Sequence, residues 1–396
     1  MSVIVNIPAP DVSPRAAPYT GILPCQKIRE MLGNGEITLL SELETDQIQP
    51  ASIDLRLGHY AYPVDTSFLP GPGVKVLEKM RQLDPDFDRF KIDLRKGAIL
   101  DKNQVYVIPL LEGIKLRSEV AAFANPKSST GRLDILTRLI ADEATHFDQV
   151  EDGYKGQLYV EVVPRSFSVA VKTGTRFNQL RFRRTRGEAP KPITSADWKQ
   201  LLDEGQIVDT NDEDKKKKLG EKTGMLPFTV DLVGSGESDA LIGWRARKHT
   251  KRLDLERRDY DPFDFWDPLR FHKNASLILD PDEFYILMTK EAIAVPPDYA
   301  AEMVPYDTRA GEFRVHYAGF FDPGFGWDIT TKKAGGSRGV LEVRSHEVPF
   351  LLEHGQIVGW LRYERMSEAP DSLYGQGIKS NYQGQGLKLA KQFRAP

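Results

Sequence analysis

At 396 residues the chain is long enough for two domains of ordinary size, each with its own buried core. Its 54 Lys and Arg against 57 Asp and Glu give a formal net charge of −3, which removes any global attraction for nucleic acid or an anionic membrane; the single Cys25 removes a disulfide framework and any multi-cysteine metal site. No apolar run approaches the ~20 residues of a membrane span, and "MSVIVNIPAPDVSPRAAPYT" lacks the basic start and apolar core of a signal peptide, so a soluble, cytoplasmic protein is expected.

In chain order, "LPCQKIREMLGNGEI" places Ile28, Met31 and Leu32 at i, i+3 and i+4 ahead of a glycine stop, which predicts a short amphipathic helix. "QPASIDLRLG", "YVIPL", "QLYVEVV" and "SVAVKT" follow as short β-rich runs broken by Gly, Pro and Asp. The basic, proline-bearing "RRTRGEAPKP" predicts a linker. Beyond it the series restarts. "ITSADWKQLLDEGQI" sets Trp198, Leu201 and Leu202 at helical spacing before Gly205, the charged "DTNDEDKKKKLGEK" predicts a solvated loop, and "PFTVDL", "EFYILMT", "FRVHYA" and "VPFLLEHGQIVGWLRY" are again β-rich.

The restart is a duplication. The helix stops differ by 205 − 35 = 170, the Asp of "PASIDL" and "PFTVDL" by 231 − 54 = 177, Tyr106 and Tyr285 by 179, Glu161 and Glu342 by 181, and Leu180 and Leu361 by 181. A slow upward drift is what a few short insertions in a second copy produce. The expected organisation is two tandem, mainly β domains, 1–186 and 187–396, each opening with a short helix.

Familiar catalytic signatures are missing: there is no G-x-x-x-x-G-K-[ST] loop, no G-x-S-x-G elbow, no H-E-x-x-H or H-x-E, and one cysteine cannot supply P-C-x-x-C, which excludes the zinc nucleobase deaminases. Three polar clusters remain. In "NPKSSTGRLDI", Lys127, Ser128, Ser129, Thr130 and Arg132 crowd around Gly131, as triphosphate oxygens require, with a plain polar turn as the alternative. In "HYAGFFDPGFG" and "GVLEVRSHEVPF", Ala318 and Asp322 flank a tight turn, and Glu342 sits in an apolar strand run, either facing solvent or buried with a raised pKa and able to trade protons with water. Glu161 in "YVEVV" carries the same two readings. The glycine-rich tail "YGQGIKSNYQGQGLKLAKQF" offers Lys379, Tyr382, Gln383 and Gln385, either as a lid over a nucleotide or as a loose end.

These clusters, in this order and beside "QPASIDLRLG", resemble the dCTP deaminase branch of the dUTPase-like superfamily, with each repeat similar to one such domain. The resemblance implies distorted jelly-roll β-barrels, hydrolytic removal of the 4-amino group of dCTP to give dUTP and ammonia, Mg²⁺ carried with the triphosphate, no zinc, and homotrimeric assembly, although two fused barrels leave a monomer open. It also implies roles: Ser128 and Ser129 on phosphate, Arg132 as the active-site arginine, Glu342 or Glu161 as the water-activating carboxylate, Ala318 facing the base, Asp322 in the hairpin, and Lys379–Gly386 as the closing tail. Each copy departs from the pattern where the other keeps it. The second has "VPYDTRAGE" in place of "NPKSSTGRL", with Asp307 unsuited to a triphosphate and Arg309 left to stand in for the arginine, while the first has "THFDQVEDGYKG" in place of the hairpin. A composite site is therefore expected: Ser128, Ser129 and Arg132 from the first copy; Ala318, Asp322, Glu342 and the tail from the second. A dUTPase, a bifunctional dCTP-to-dUMP enzyme with Asp322 as base, and a silent nucleotide-binding protein are the rival readings.

Overall fold

The computed structural model of the chain describes residues 20–185, 193–194, 196–197, 199, 201, 224–305, 313–316, 319–328, 330–331, 333–345, 348–375 and 386–395. Strands dominate. The first copy packs a sheet ordered Val120–Pro126, Arg176–Arg184, Ser52–Arg56 against a second ordered Ile135–Ala141, Lys155–Pro164, Val105–Lys115, Tyr60–Val64. The second copy repeats both, as Tyr299–Pro305, Ile357–Arg365, Met225–Thr229 and as Phe313–His316, Ser337–Ser345, Phe284–Ile293, Leu241–Ala246. Burial alternates along Val120–Pro126 and along Val169–Val171, the latter lying within the run "SVAVKT" read as β-rich. The predicted opening helix is Cys25–Gly33, with Cys25, Ile28 and Met31 buried. In the second copy Ile193 and Leu201 are buried, while Trp198 and Leu202 lie outside the described residues.

Matching hydrogen bonds prove the repeat atom by atom. The Tyr106 hydroxyl accepts the Asp101 N–H at 2.9 Å, and the Tyr285 hydroxyl accepts the Asp280 N–H at 2.9 Å. Glu161 sits opposite Val107, and Glu342 opposite Ile286. One sequence match is corrected. Glu112 accepts the Arg56 N–H at 2.7 Å, and its counterpart Glu291 accepts the Thr229 N–H at 2.8 Å, so the equivalent positions differ by 229 − 56 = 173, not 177. "PASIDL" and "PFTVDL" are thus four residues out of register. Asp54 and Asp231 are not equivalent, which is why they serve different partners: Asp54 binds Lys127 and Arg176, whereas Asp231 binds Arg338 at 2.7 Å.

The copies are joined through a shared core. Leu253–Asp254 of the second copy runs parallel to Val169–Val171 of the first, and Phe265 and Trp266 stack edge-on against Phe167. Each of these rings is at most 1% exposed and contributes about 2–3 kcal/mol through burial. Phe393 near the C-terminus closes the same aromatic nest against Tyr260, Phe265 and Trp266.

Candidate active site

The phosphate-like cluster is a single helical turn, Ser128–Gly131, directly after the strand Val120–Pro126. It is sewn to the neighbouring strand at one carbonyl: Phe177 O accepts the Lys127 N–H at 2.8 Å and the Thr130 hydroxyl at 3.0 Å. Behind it, buried Asp54 holds the Lys127 ammonium and one arm of Arg176, which also reaches Asp46 at 2.8 Å. This acid–base lattice spends part of the positive charge but leaves the half-buried Ser128 and Ser129 hydroxyls without a hydrogen bond among the described residues. Arg132 is buried and donates to the Lys388 carbonyl at 2.7 Å, tying the motif to the C-terminal segment.

These groups form one wall of a cavity of about 510 Å³; the opposite wall belongs to the second copy and presents Phe320, Asp322 and Glu342. Glu342 lies in the strand Ser337–Ser345 between Leu341 and Val343, which are fully buried, and is itself 6% exposed. Burial raises its pKa well above the ordinary glutamate value, the positive field of Arg132 opposes that rise, and Asp134 adds to it. A carboxylate so placed is poised to keep a proton it has accepted. Asp322 is also buried, but its carboxylate is held by Arg181 of the first copy at 3.0 Å. Burial raises the Asp322 pKa and lowers that of Arg181, so both members of this cross-copy pair carry a desolvation penalty that their attraction offsets.

Glu161 does not enter the cavity. It is completely buried, and Arg138 Nε donates to it at 2.9 Å. Arg138 in turn donates to Ser67 at 2.7 Å and lies 4.0 Å from the Phe147 ring. Ser67 belongs to a segment between Val64 and Ile92 whose helix, Val76–Leu83, packs Val76 and Met80 against Val107, Ile140 and Tyr159. That segment fills the space beside Glu161, leaving the first copy without the opening that Glu342 has. Ala318, Asp307, Arg309, Lys379, Tyr382, Gln383 and Gln385 lie outside the described residues.

Several cavity residues escaped the sequence reading, three cations among them. Arg176, Arg258 and Lys391 all line the cavity, and burial lowers the pKa of Lys391, with the neighbouring charges of Arg258 and Lys127 acting the same way. Lys391 had a legible signal: Leu389, Ala390 and Phe393 surround it with apolar residues, and all three are buried, so this part of the tail is docked. Arg258 sits in "LERRDYD", where nothing in the pattern distinguishes it from a solvated turn.

Two family models match the chain almost end to end: the N-terminal domain of 2'-deoxycytidine 5'-triphosphate deaminase over residues 19–186, and its C-terminal domain over residues 194–393. The chain belongs to the dCTP deaminase family. Its fold is similar to the crystal structure of 2'-deoxycytidine 5'-triphosphate deaminase from Agrobacterium tumefaciens, with a TM-score of 0.79 and 46% identity over 89% of this chain and 99% of that one. It is also 29% identical over 156 residues to the dCTP deaminase of Sulfurisphaera tokodaii, covering 39% of this chain and 74% of that protein. A dCTP deaminase of Persephonella marina described as dUMP-forming is 29% identical over 174 residues, 43% of this chain and 88% of that protein. The last two dCTP deaminases are therefore about one repeat long, and this family member is a tandem form.

Proposed function

We propose that the chain hydrolyses dCTP to dUTP and ammonia in one composite site, with Glu342 activating the water. The observation that carries this reading is the meeting, in one cavity, of the first copy's Ser128–Arg132 motif and the second copy's buried Glu342. Glu342 takes a proton from water as the oxygen bonds to C4 of cytosine and delivers it to the ring nitrogen N3, where it stays; it then takes the proton of the new C4 hydroxyl and passes it to the amino group, so that C4=O forms as the C4–N bond breaks and ammonia departs. Burial makes the glutamate basic enough for the first transfer and lets it hold the proton until the second. Arg132 and Ser128 orient the water and stabilise charge as it moves onto the ring.

Ser128, Ser129, Lys127 and Lys391 bind the triphosphate, Ala318 faces the base, and the segment carrying Lys379, Tyr382, Gln383 and Gln385 closes over the site. Tyr374 and Gly375 before that segment and Lys391 after it line the cavity, which supports the closing role. The Ser128 and Ser129 hydroxyls, which have no hydrogen bond among the described residues, stand beside cations while Asp54 and Asp322 are engaged by Lys127, Arg176 and Arg181, a donor set that suits phosphate oxygens. Mg²⁺ would ride on the triphosphate, where it offsets the charge of the outer phosphates.

The reading is tested by supplying dCTP and dUTP in separate reactions with Mg²⁺ and measuring ammonia, nucleotide product and pyrophosphate. Ammonia and dUTP from the first, with nothing from the second, is the expected result; silence in both would leave a nucleotide-binding protein. The dUMP-forming relative makes pyrophosphate the second product to follow. Pyrophosphate released from dUTP would add a phosphohydrolase step and move attention to Asp322, whose carboxylate would then have to leave Arg181.

A further inference from the structure

We propose that the chain carries a second anion site, for the phosphate chain of a nucleoside triphosphate or a free polyphosphate, in a basic groove between the two copies. Two adjoining hollows of about 660 and 420 Å³ share Lys102, Ser166, Lys248 and His249, and no residue lining them lines the catalytic cavity. The first copy supplies Lys102 and Arg165; the second supplies the run "RKHTKR", including Lys248, Lys251 and Arg252.

Ion pairing uses only part of this charge. Lys248 meets Glu283 at 2.9 Å and Lys251 meets Asp264 at 3.6 Å, while Lys102, Arg165 and Arg252 have no carboxylate partner among the described residues. Desolvation lowers the pKa of Lys102, and although Asp134 opposes this, Arg344, Arg165 and Lys248 all push in the same direction. Cations held this close together in a concave site are the arrangement that phosphate oxygens relieve. The hydroxyls of Ser166 and Ser168 lie in the same wall, although Ser166 already donates to Asp134 at 2.6 Å. The hollows are of a size for a triphosphate, and the chain's net charge of −3 gives no broad basic face for a duplex.

The site goes beyond the proposed deamination and stands or falls without it. Calorimetric titration of the full chain with inorganic tripolyphosphate should find two sites per chain. The double variant Lys102→Glu, Arg252→Glu should lose one, with affinity there at least tenfold weaker, while its turnover of dCTP stays within twofold of the wild type. Ser129→Glu should lose the other site. If ATP fills the groove site as well, the nucleotide's phosphate chain is the ligand; if only tripolyphosphate does, free polyphosphate is. An unchanged isotherm in the double variant overturns the proposal, whether the wild type shows one site or two, as does duplex DNA binding that the double variant abolishes. Arg165→Ser, a milder change, repeats the test if the charge reversals impair folding.

Discussion

Glu161 and Glu342 stand at equivalent points of equivalent strands, yet one is neutralised by an arginine and the other faces a cavity. The difference comes from their neighbours: Arg138 lies opposite Glu161, and Ser67 fixes that arginine. Glu342→Gln should therefore lower kcat at least a thousandfold while the Kd for dCTP, measured by calorimetry, changes less than threefold. Glu161→Gln should do the reverse, leaving kcat within threefold and lowering stability by about 1–3 kcal/mol through the weakened buried pair. Loss of turnover in the Glu161 variant would reverse the assignment. The residue scale also carries a pH prediction. Asp148 accepts the Leu139 N–H at 2.7 Å, and enclosure of its carboxyl pushes its pKa to about 7, opposed by Leu139 and Arg138 and reinforced by Glu161. Between the usual aspartate value and about 7 the folded chain binds a proton that the unfolded chain has released, so stability falls as pH rises through that window. Asp148→Asn removes this dependence. The gap in Tm between wild type and variant should shift against the wild type from pH 5 to pH 8 by calorimetry, and a constant gap would refute the linkage.

At the scale of elements, alternation and turn chemistry were enough to read the strands, because each buries one face and stops at Gly, Pro or Asp. Register was harder. "PASIDL" and "PFTVDL" look alike as strings, but backbone pairing is set by which N–H meets Glu112 or Glu291, and that partner lies some 60 residues away in sequence. The segment covering Glu161 was missed: one opening helix per copy was expected, whereas Val76–Leu83 is a second helix in the first, and although Val76 and Met80 of "GPGVKVLEKMRQL" stand at helical spacing, nothing local says what they will cover. The tail had the opposite problem. Its glycines suggested a loose end, while Phe393, past the last of them, is buried among Tyr260, Phe265 and Trp266 and fixes the stretch that brings Lys391 to the cavity and Lys388 to Arg132. Phe393→Ala should lower stability by about 3 kcal/mol in urea unfolding and raise the KM for dCTP severalfold. A loss of stability with KM unchanged would separate the aromatic nest from substrate binding.

At the scale of the whole molecule, complementary losses in two copies made a shared site legible before any geometry was known. What the sequence pattern left open was whether the two halves of a site come from one chain or from neighbours. The cavity settles where they meet: Ser128, Ser129 and Arg132 face Asp322 and Glu342 of the same chain, across a contact that buries the Arg181–Asp322 pair and the Phe167, Phe265 and Trp266 rings. Both walls of this cavity therefore come from one chain, and on the proposed reading its chemistry needs no subunit boundary. Complementation measures this directly. Ser129→Glu disables the phosphate wall and Glu342→Gln the catalytic wall. If each site is built within one chain, refolding the two variants together in equal amounts restores no activity, because every chain still carries one broken wall. If walls came from different chains, random pairing would return about a quarter of the sites intact. The expected result is activity no higher than either variant alone, together with wild-type activity strictly proportional to protein concentration on dilution; recovery toward a quarter would place the working site between chains instead.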